Sequence, residues 1–189
     1  MSTASISIRQ ARPDDLKKLA AVERSAASVF RGVGLAWLAD GGTMDAAVLA
    51  QLCQDGTLWV AADERDEPVG FLAAYELDGS FHIAEVSVAQ SHQRLGIGAR
   101  LVGVAREHGT RVGFGAVTLT TYRDLAWNGP FYARLGFAEI DPGEAGPGHV
   151  EKLREEAEAG HDPVRRCLMA LRLDQPARSS RIAESRSNM

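Results

Sequence analysis

The sequence predicts an α/β chain of the α+β kind, with a mixed, mostly antiparallel central sheet of about seven strands flanked by helices on both faces. Three observations carry that expectation. Residues 57–88 hold three strand-like runs in succession, the last two joined at the turn pair Asp78-Gly79. Residues 97–140 then alternate helix, strand, helix and strand, an order that needs crossover helices packed on a sheet. Finally, Cys167, Met169, Leu171 and Leu173 recur at every second position of 166–173, the period of a strand with one buried face.

The elements follow in order. Residues 6–9 alternate as an opening strand, and Arg12, Pro13, Asp14 and Asp15 start a helix, with Pro in its first turn and acids at its positive end. Leu16, Leu19, Val22 and Ala26 form its buried stripe. Residues 30–42 contain four glycines with Phe30 and Trp37, the composition of a loop or a broken helix. Helical spacing returns at 43–53 through Met44, Ala47, Val48 and Leu52. Strands are expected at 57–62, 69–77, 81–88, 116–119, 137–140 and 166–173, with helices at 97–108, 128–135 and 150–159. The whole reads as one domain over 1–173. The tail 174–189 holds too little apolar surface to offset ordering and is expected to be disordered.

Bulk properties narrow the function. A chain of 189 residues, 45% hydrophobic and 24% charged, suits one ordinary core. A net charge of −4 argues against nucleic acid as partner, which calls for clustered Lys and Arg. No run is long enough for a bilayer, so no membrane partner is expected, and the start reads as lacking a secretory leader. Cys53 and Cys167 lie far apart and read as reduced hydrophobes of a cytoplasmic protein. The histidines His92, His108, His149 and His161 show no ligand spacing, so no metal is predicted.

Chemistry first shows at Gln93, Arg94, Leu95, Gly96, Ile97 and Gly98, between a strand and a helix. Two glycines one residue apart let the backbone turn tightly, and the helix start aims N–H groups at an anion. Arg100 and Leu101 stand where a P-loop needs Lys and a hydroxyl, and Leu101 takes the place of the third Rossmann glycine. No acid ends a strand about 20 residues on, where a ribose would need one. What fits is Q/R-x-x-G-x-G/A. A second motif, Phe131-Tyr132 followed by Gly136-Phe137, closes a short helix and opens a strand.

The two motifs, in this order and on these elements, resemble those of the GNAT superfamily of N-acetyltransferases, and the element order resembles the GNAT order. The resemblance implies an acetyl-CoA-dependent N-acetyltransferase acting on a primary amine of a small molecule or amino-acid-like acceptor by direct attack in a ternary complex. It implies that the backbone of Val86 and Val88 pairs with the pantetheine arm. It also implies that the loop from Gln93 through Arg94, Leu95, Gly96, Ile97 and Gly98 to Ala99 holds the pyrophosphate. Tyr132 becomes the general acid for the departing thiolate; otherwise it is a core aromatic.

The base is open between two residues. His82 shares a face with Ala84 and Val86 and has a suitable pKa. Glu85 points to the other face by strict alternation, but a β-bulge here would reverse that. The family's cofactor-contacting Asn stands seven residues before the Tyr, where this chain has Leu125. Asn128, four before, is either a cofactor contact or the cap of the short helix.

Residues 139–162 carry eight carboxylates against two bases, which either attract a cationic acceptor or form a solvated face. Phe30, Trp37 and Trp127 either line an acceptor pocket or pack the loops. Two further readings stay open: a non-catalytic acyl-CoA-binding module, and acetylation of a protein or peptide amine. Dimers are common in the family, which makes a homodimer compatible with the resemblance.

Overall fold

The structure, a computed structural model, describes residues 5–174, so the disorder expected of the tail falls outside the described residues from 175 on. Seven strands form one sheet: β1 (Ser7–Gln10), β2 (Leu58–Ala62), β3 (Pro68–Leu77), β4 (Ser80–Val88), β5 (Ala116–Tyr122), β6 (Ala138–Ile140) and β7 (Arg166–Arg172). The helices are α1 (Leu16–Ala27), α2 (Ala36–Ala39), α3 (Ala46–Gln54), α4 (Ile97–Val112), α5 (Gly129–Arg134), α6 (Pro142–Ala145) and α7 (Pro147–Glu158). The strand order is β1-β2-β3-β4-β5-β7-β6, antiparallel at every junction except the parallel pair β4 and β5. Among the described residues no helix is long and apolar enough to cross a membrane.

Alternation along the strands divides the core. On one face Leu72, Ala74, Phe81 and Ile83 pack with Ile97, Leu101, Val102 and Ala105 of α4. On the other, Phe71 and Ala73 pack with Leu19 and Val22 of α1 and Leu49 and Leu52 of α3. Strand β2, one in from the β1 edge, is buried throughout, with α3 and α1 on one face and the α4 core on the other, which explains its unbroken apolar run.

Several boundaries move for identifiable reasons. The first helix is preceded by a 3-10 turn at Pro13–Asp15, because Asp15 turns inward. It accepts from the Arg12 N–H at 2.7 Å and from Arg9 at 2.7 and 3.1 Å, and is not a solvated dipole acid. Residues 30–42 become a 3-10 segment at Ser28–Val33 and the single turn α2, which rest on Tyr122 and Leu125 through Leu35. Helix α4 runs four residues further than its apolar stripe suggests, and β5 three residues further, to Tyr122. Both cysteines are free.

Candidate functional site

The sheet opens where its one parallel junction fails. Strands β4 and β5 pair over 81–83 and 117–119 and then diverge, although β4 continues to Val88 and β5 to Tyr122. The Ala89 N–H donates to the Val69 carbonyl of β3 at 2.8 Å. Alternation then turns the N–H and C=O of Ser87 toward β3 and those of Val86 and Val88 into the gap. Within the gap the Gln93 amide donates to the Val88 carbonyl at 3.0 Å, so Gln93 ties the loop to the strand rather than reaching outward with Arg94.

The anion cradle follows directly. Arg94 and Gly96 both adopt left-handed backbone, at φ 62° and 76°, and the first α4 bond runs from the Arg100 N–H to the Gly96 carbonyl. The N–H groups of Arg94, Leu95 and Gly96 meet no acceptor among the described residues. Those of Ile97, Gly98 and Ala99 are the unpaired donors of a helix start. Ile97 is buried and fixes the helix on the sheet, while the Leu95 and Arg94 side chains stay exposed. Gly98 lies against α5, where an added Cβ would stand 3.5 Å from Phe131.

One extra residue decides which carboxylate reaches the gap. Ala73 pairs with Glu85 and Ala74 with Ile83, so Ala84 is a bulge. Glu85 therefore shares the α1 face with His82, while Val86 and Val88 turn toward the α4 core. The Ser87 hydroxyl donates to Glu85 at 2.7 Å. Glu85 is half-buried. That burial, and next the Glu23 carboxylate, push its pKa up to about 7 against the opposing effects of Ser87 and Arg166. Tyr132 comes from the opposite face, its ring 5.0 Å from Phe131 and 5.7 Å from Phe137. Burial above all, and then the Glu85 charge, raise its phenol further above neutrality, with Arg166 opposing.

His82 does not stand in solvent contact as a base would. It is fully buried, 0% exposed, beneath α7, and burial lowers its imidazole to about 3. It ends a buried hydrogen-bonded row. His149 Nδ1 lies 2.9 Å from the Asp78 carboxylate and its Nε2 2.9 Å from the Thr118 hydroxyl, which lies 3.0 Å from His82 Nδ1. With both imidazoles neutral, one proton arrangement satisfies all three contacts. His149 donates to Asp78, Thr118 donates to His149, and His82 donates to Thr118. His82 Nε2 is left as a lone pair with no partner among the described residues.

Asn128 stands at the N-cap position of α5, yet its side chain makes no cap bond and its Oδ1 is buried without a partner. The capping reading is thereby corrected, and a buried acceptor is left without a partner among the described residues. Leu125 is core, packed with Leu35 and Tyr122.

The acidic segment also departs from expectation. Glu151, Arg154 and Glu158 form the solvated ladder, but Glu156 turns inward. Its Oε2 accepts from Arg166 Nε at 2.9 Å, and its Oε1 accepts from the Thr120 hydroxyl and lies in ion-pair contact with Arg166 Nη2 at 2.9 Å. The Arg166 guanidinium also lies 4.9 Å from the Tyr122 ring centre. Phe30 packs on Tyr122, Trp127 packs on Phe30, and Trp37 packs on His161, so these aromatics pack the loops beside this cluster. Arg166, Glu156, Thr118 and Asp78 escape sequence reasoning because their partners are ten to 71 residues away.

Comparison with known proteins identifies the family and the fold. The profile of the Acetyltransferase (GNAT) family matches residues 30–137. The fold resembles the N-acetylglutamate synthase of Neisseria gonorrhoeae, crystallised with coenzyme A and N-acetyl-glutamate. The TM-score is 0.67 at 18% identity over 92% of this chain, which spans 36% of that longer protein. It also resembles the PaiA N-acetyltransferase of Thermoplasma acidophilum in complex with coenzyme A, with a TM-score of 0.67 at 17% identity, covering 89% of this chain and 99% of that one. A GNAT-family acetyltransferase from Staphylococcus aureus gives a TM-score of 0.64 at 16% identity, covering 90% of this chain and 100% of the other.

Proposed function

This chain belongs to the acetyltransferase (GNAT) family, and on that premise we propose that it is an acetyl-CoA-dependent N-acetyltransferase of a primary amine on a small or amino-acid-like acceptor. The observation that carries the reading is the pair Glu85 and Tyr132. They enter the β4/β5 gap from opposite faces, one a carboxylate poised near neutrality, the other a phenol held protonated. Coenzyme A in two of the similar structures supports the choice of donor.

The residues present fit that donor. The unpaired N–H groups from Arg94 to Ala99 and the free Arg94 side chain suit a pyrophosphate. The gap-facing backbone of Val86 and Val88 suits an amide-bearing arm laid down as an added strand, and the unpartnered Asn128 Oδ1 suits an N–H of the same molecule. When bound, acetyl-CoA supplies an acyl group activated on sulfur.

The chain's own residues do the rest. An alkylammonium holds its proton with a pKa of about 10, far above an ordinary glutamate. Raising Glu85 to about 7 narrows that mismatch, so Glu85 can take the proton from the acceptor nitrogen. Tyr132 keeps its proton through the neutral range and donates it to the departing sulfur. A backbone N–H of the open β4 edge can stabilise charge on the carbonyl oxygen. Both substrates lie in one gap, so transfer is direct and needs no acyl-enzyme.

Tyr132→Phe tests the reading. With acetyl-CoA and a panel of primary amines in mildly alkaline buffer, the variant should lose about 10²–10⁴-fold in turnover while still binding acetyl-CoA. Unchanged turnover would remove the general acid. Absence of CoA release by the wild type with every amine would leave a binding module.

A further inference from the structure

We propose that Arg166 is a carboxylate-binding residue of the acceptor site, so that the amine acetylated here is a zwitterionic, amino-acid-like compound rather than a simple cationic amine. The inference rests on the acetyl-transfer reading above and narrows its acceptor.

Three observations lead to it. The first is placement. Cys167 and Met169 face the α4 core, so Arg166 projects on the α1 face, as Glu85 does. Glu85 belongs to β4 on one lip of the gap, and Arg166 to β7, paired to Tyr122 on the other lip. The second is orientation. Nε and Nη2 grip the Glu156 carboxylate side-on at 2.9 Å each, Nη2 also donates to the Thr120 hydroxyl at 3.1 Å, and the guanidinium lies over the Tyr122 ring. Its side chain is only 11% exposed, so this grip fixes one rotamer. The third is what the grip leaves over. Nη1 has no partner among the described residues and yet is not among the atoms sealed from solvent.

A buried ion pair contributes little net stability, because desolvation offsets attraction. The Glu156 grip is better understood as a device that aims a guanidinium. Both oxygens of Glu156 are occupied by Arg166 and Thr120, which leaves Nη1 for a new anion. The opposite lip is acidic: Glu85 is joined there by Glu23 of α1, whose carboxylate accepts the Met44 N–H at 3.0 and 3.2 Å and acts electrostatically on Glu85. One lip is thus matched to an ammonium and the other to a carboxylate. A simple amine would leave the second unused, whereas an amino acid answers both.

The test compares each standard L-amino acid with its own carboxamide, with acetyl-CoA as donor and CoA release as readout. The carboxylate should improve kcat/KM by about ten- to a hundredfold for the preferred side chain, chiefly through KM. Arg166→Lys, which keeps the charge beside Glu156 but loses the planar fork, should raise KM for the acid by about tenfold or more and leave KM for the carboxamide nearly unchanged. Equal wild-type kcat/KM for acid and carboxamide would overturn the inference and leave the acetyltransferase reading standing. So would Arg166→Lys changing both alike. No CoA release from either series would overturn the reading of function itself.

Discussion

Glu85 carries the most exposed consequence of the structure. With its pKa near 7, the carboxylate is ionised to about one tenth at pH 6 and about nine tenths at pH 8. If the ionised form takes the acceptor's proton, kcat/KM rises roughly tenfold over that interval and then levels off. An ordinary glutamate, with a pKa near 4.3, would give no slope there. Glu85→Gln keeps the side-chain volume but cannot be a base. It should lower kcat/KM by about 10²–10⁴-fold above pH 8 and abolish the step near 7. The assay is initial CoA release at subsaturating acceptor from about pH 5.5 to 9.5, with circular dichroism at each pH to exclude unfolding. Two outcomes refute the reasoning. One is a Glu85→Gln profile with the wild-type midpoint. The other is a wild-type rate that climbs tenfold per pH unit through 9, since deprotonation of the free amine would then control the rate.

Two further predictions bear on the scaffold. Thr118→Val removes the hydroxyl between two buried imidazoles and strands one donor on His82 and one acceptor on His149. At about 1–3 kcal/mol for each group, urea unfolding should show a loss of about 2–6 kcal/mol, and a loss under 1 kcal/mol would refute the row. Gly96→Ala meets nothing within 4 Å, but its φ of 76° costs an L-residue about 1–2 kcal/mol, so KM for acetyl-CoA should rise with little change in kcat; an unchanged KM would separate this turn from donor binding.

Legibility follows the range of the forces involved. The glycine turn can be read from the chain because a left-handed residue is a local demand that Gly96 meets alone. Asp78-Gly79 announces its hairpin for the same reason, and both residues do adopt positive φ. Period-two runs marked the strands because burial of a face is repeated along one element. The second duty of Asp78 could not be read. It accepts from the His149 N–H and ring at the start of α7, a contact 71 residues away that no spacing rule encodes. Arg166 and Glu156 sit ten residues apart across a helix end, a loop and a strand start, where spacing implies no common face. Glu156 therefore looked like one more acid on a solvated helix. His82 had the right residue type and the wrong environment: α7 buries it, and α7's docking depends on tertiary contacts.

The bulge at Ala84 joins these levels. Neither Gly nor Pro marks it, so the strand reads as strictly alternating. Without the extra residue, the register that places Ile83 in the α4 core would also drive Glu85 into it, among Leu72, Ile97 and Leu101. An isolated carboxylate there would have to be neutral, and Val86 would turn to the α1 face. With it, Glu85 meets Ser87 and the electrostatic influence of Arg166, while Val86 and Val88 keep their side chains in the core and their backbone groups toward the gap. Side-chain face and backbone direction share one period in a strand, so these assignments cannot be changed separately. A single inserted residue thus sets both halves of the proposed site, the Glu85 carboxylate on the α1 face and the open edge beside the glycine turn.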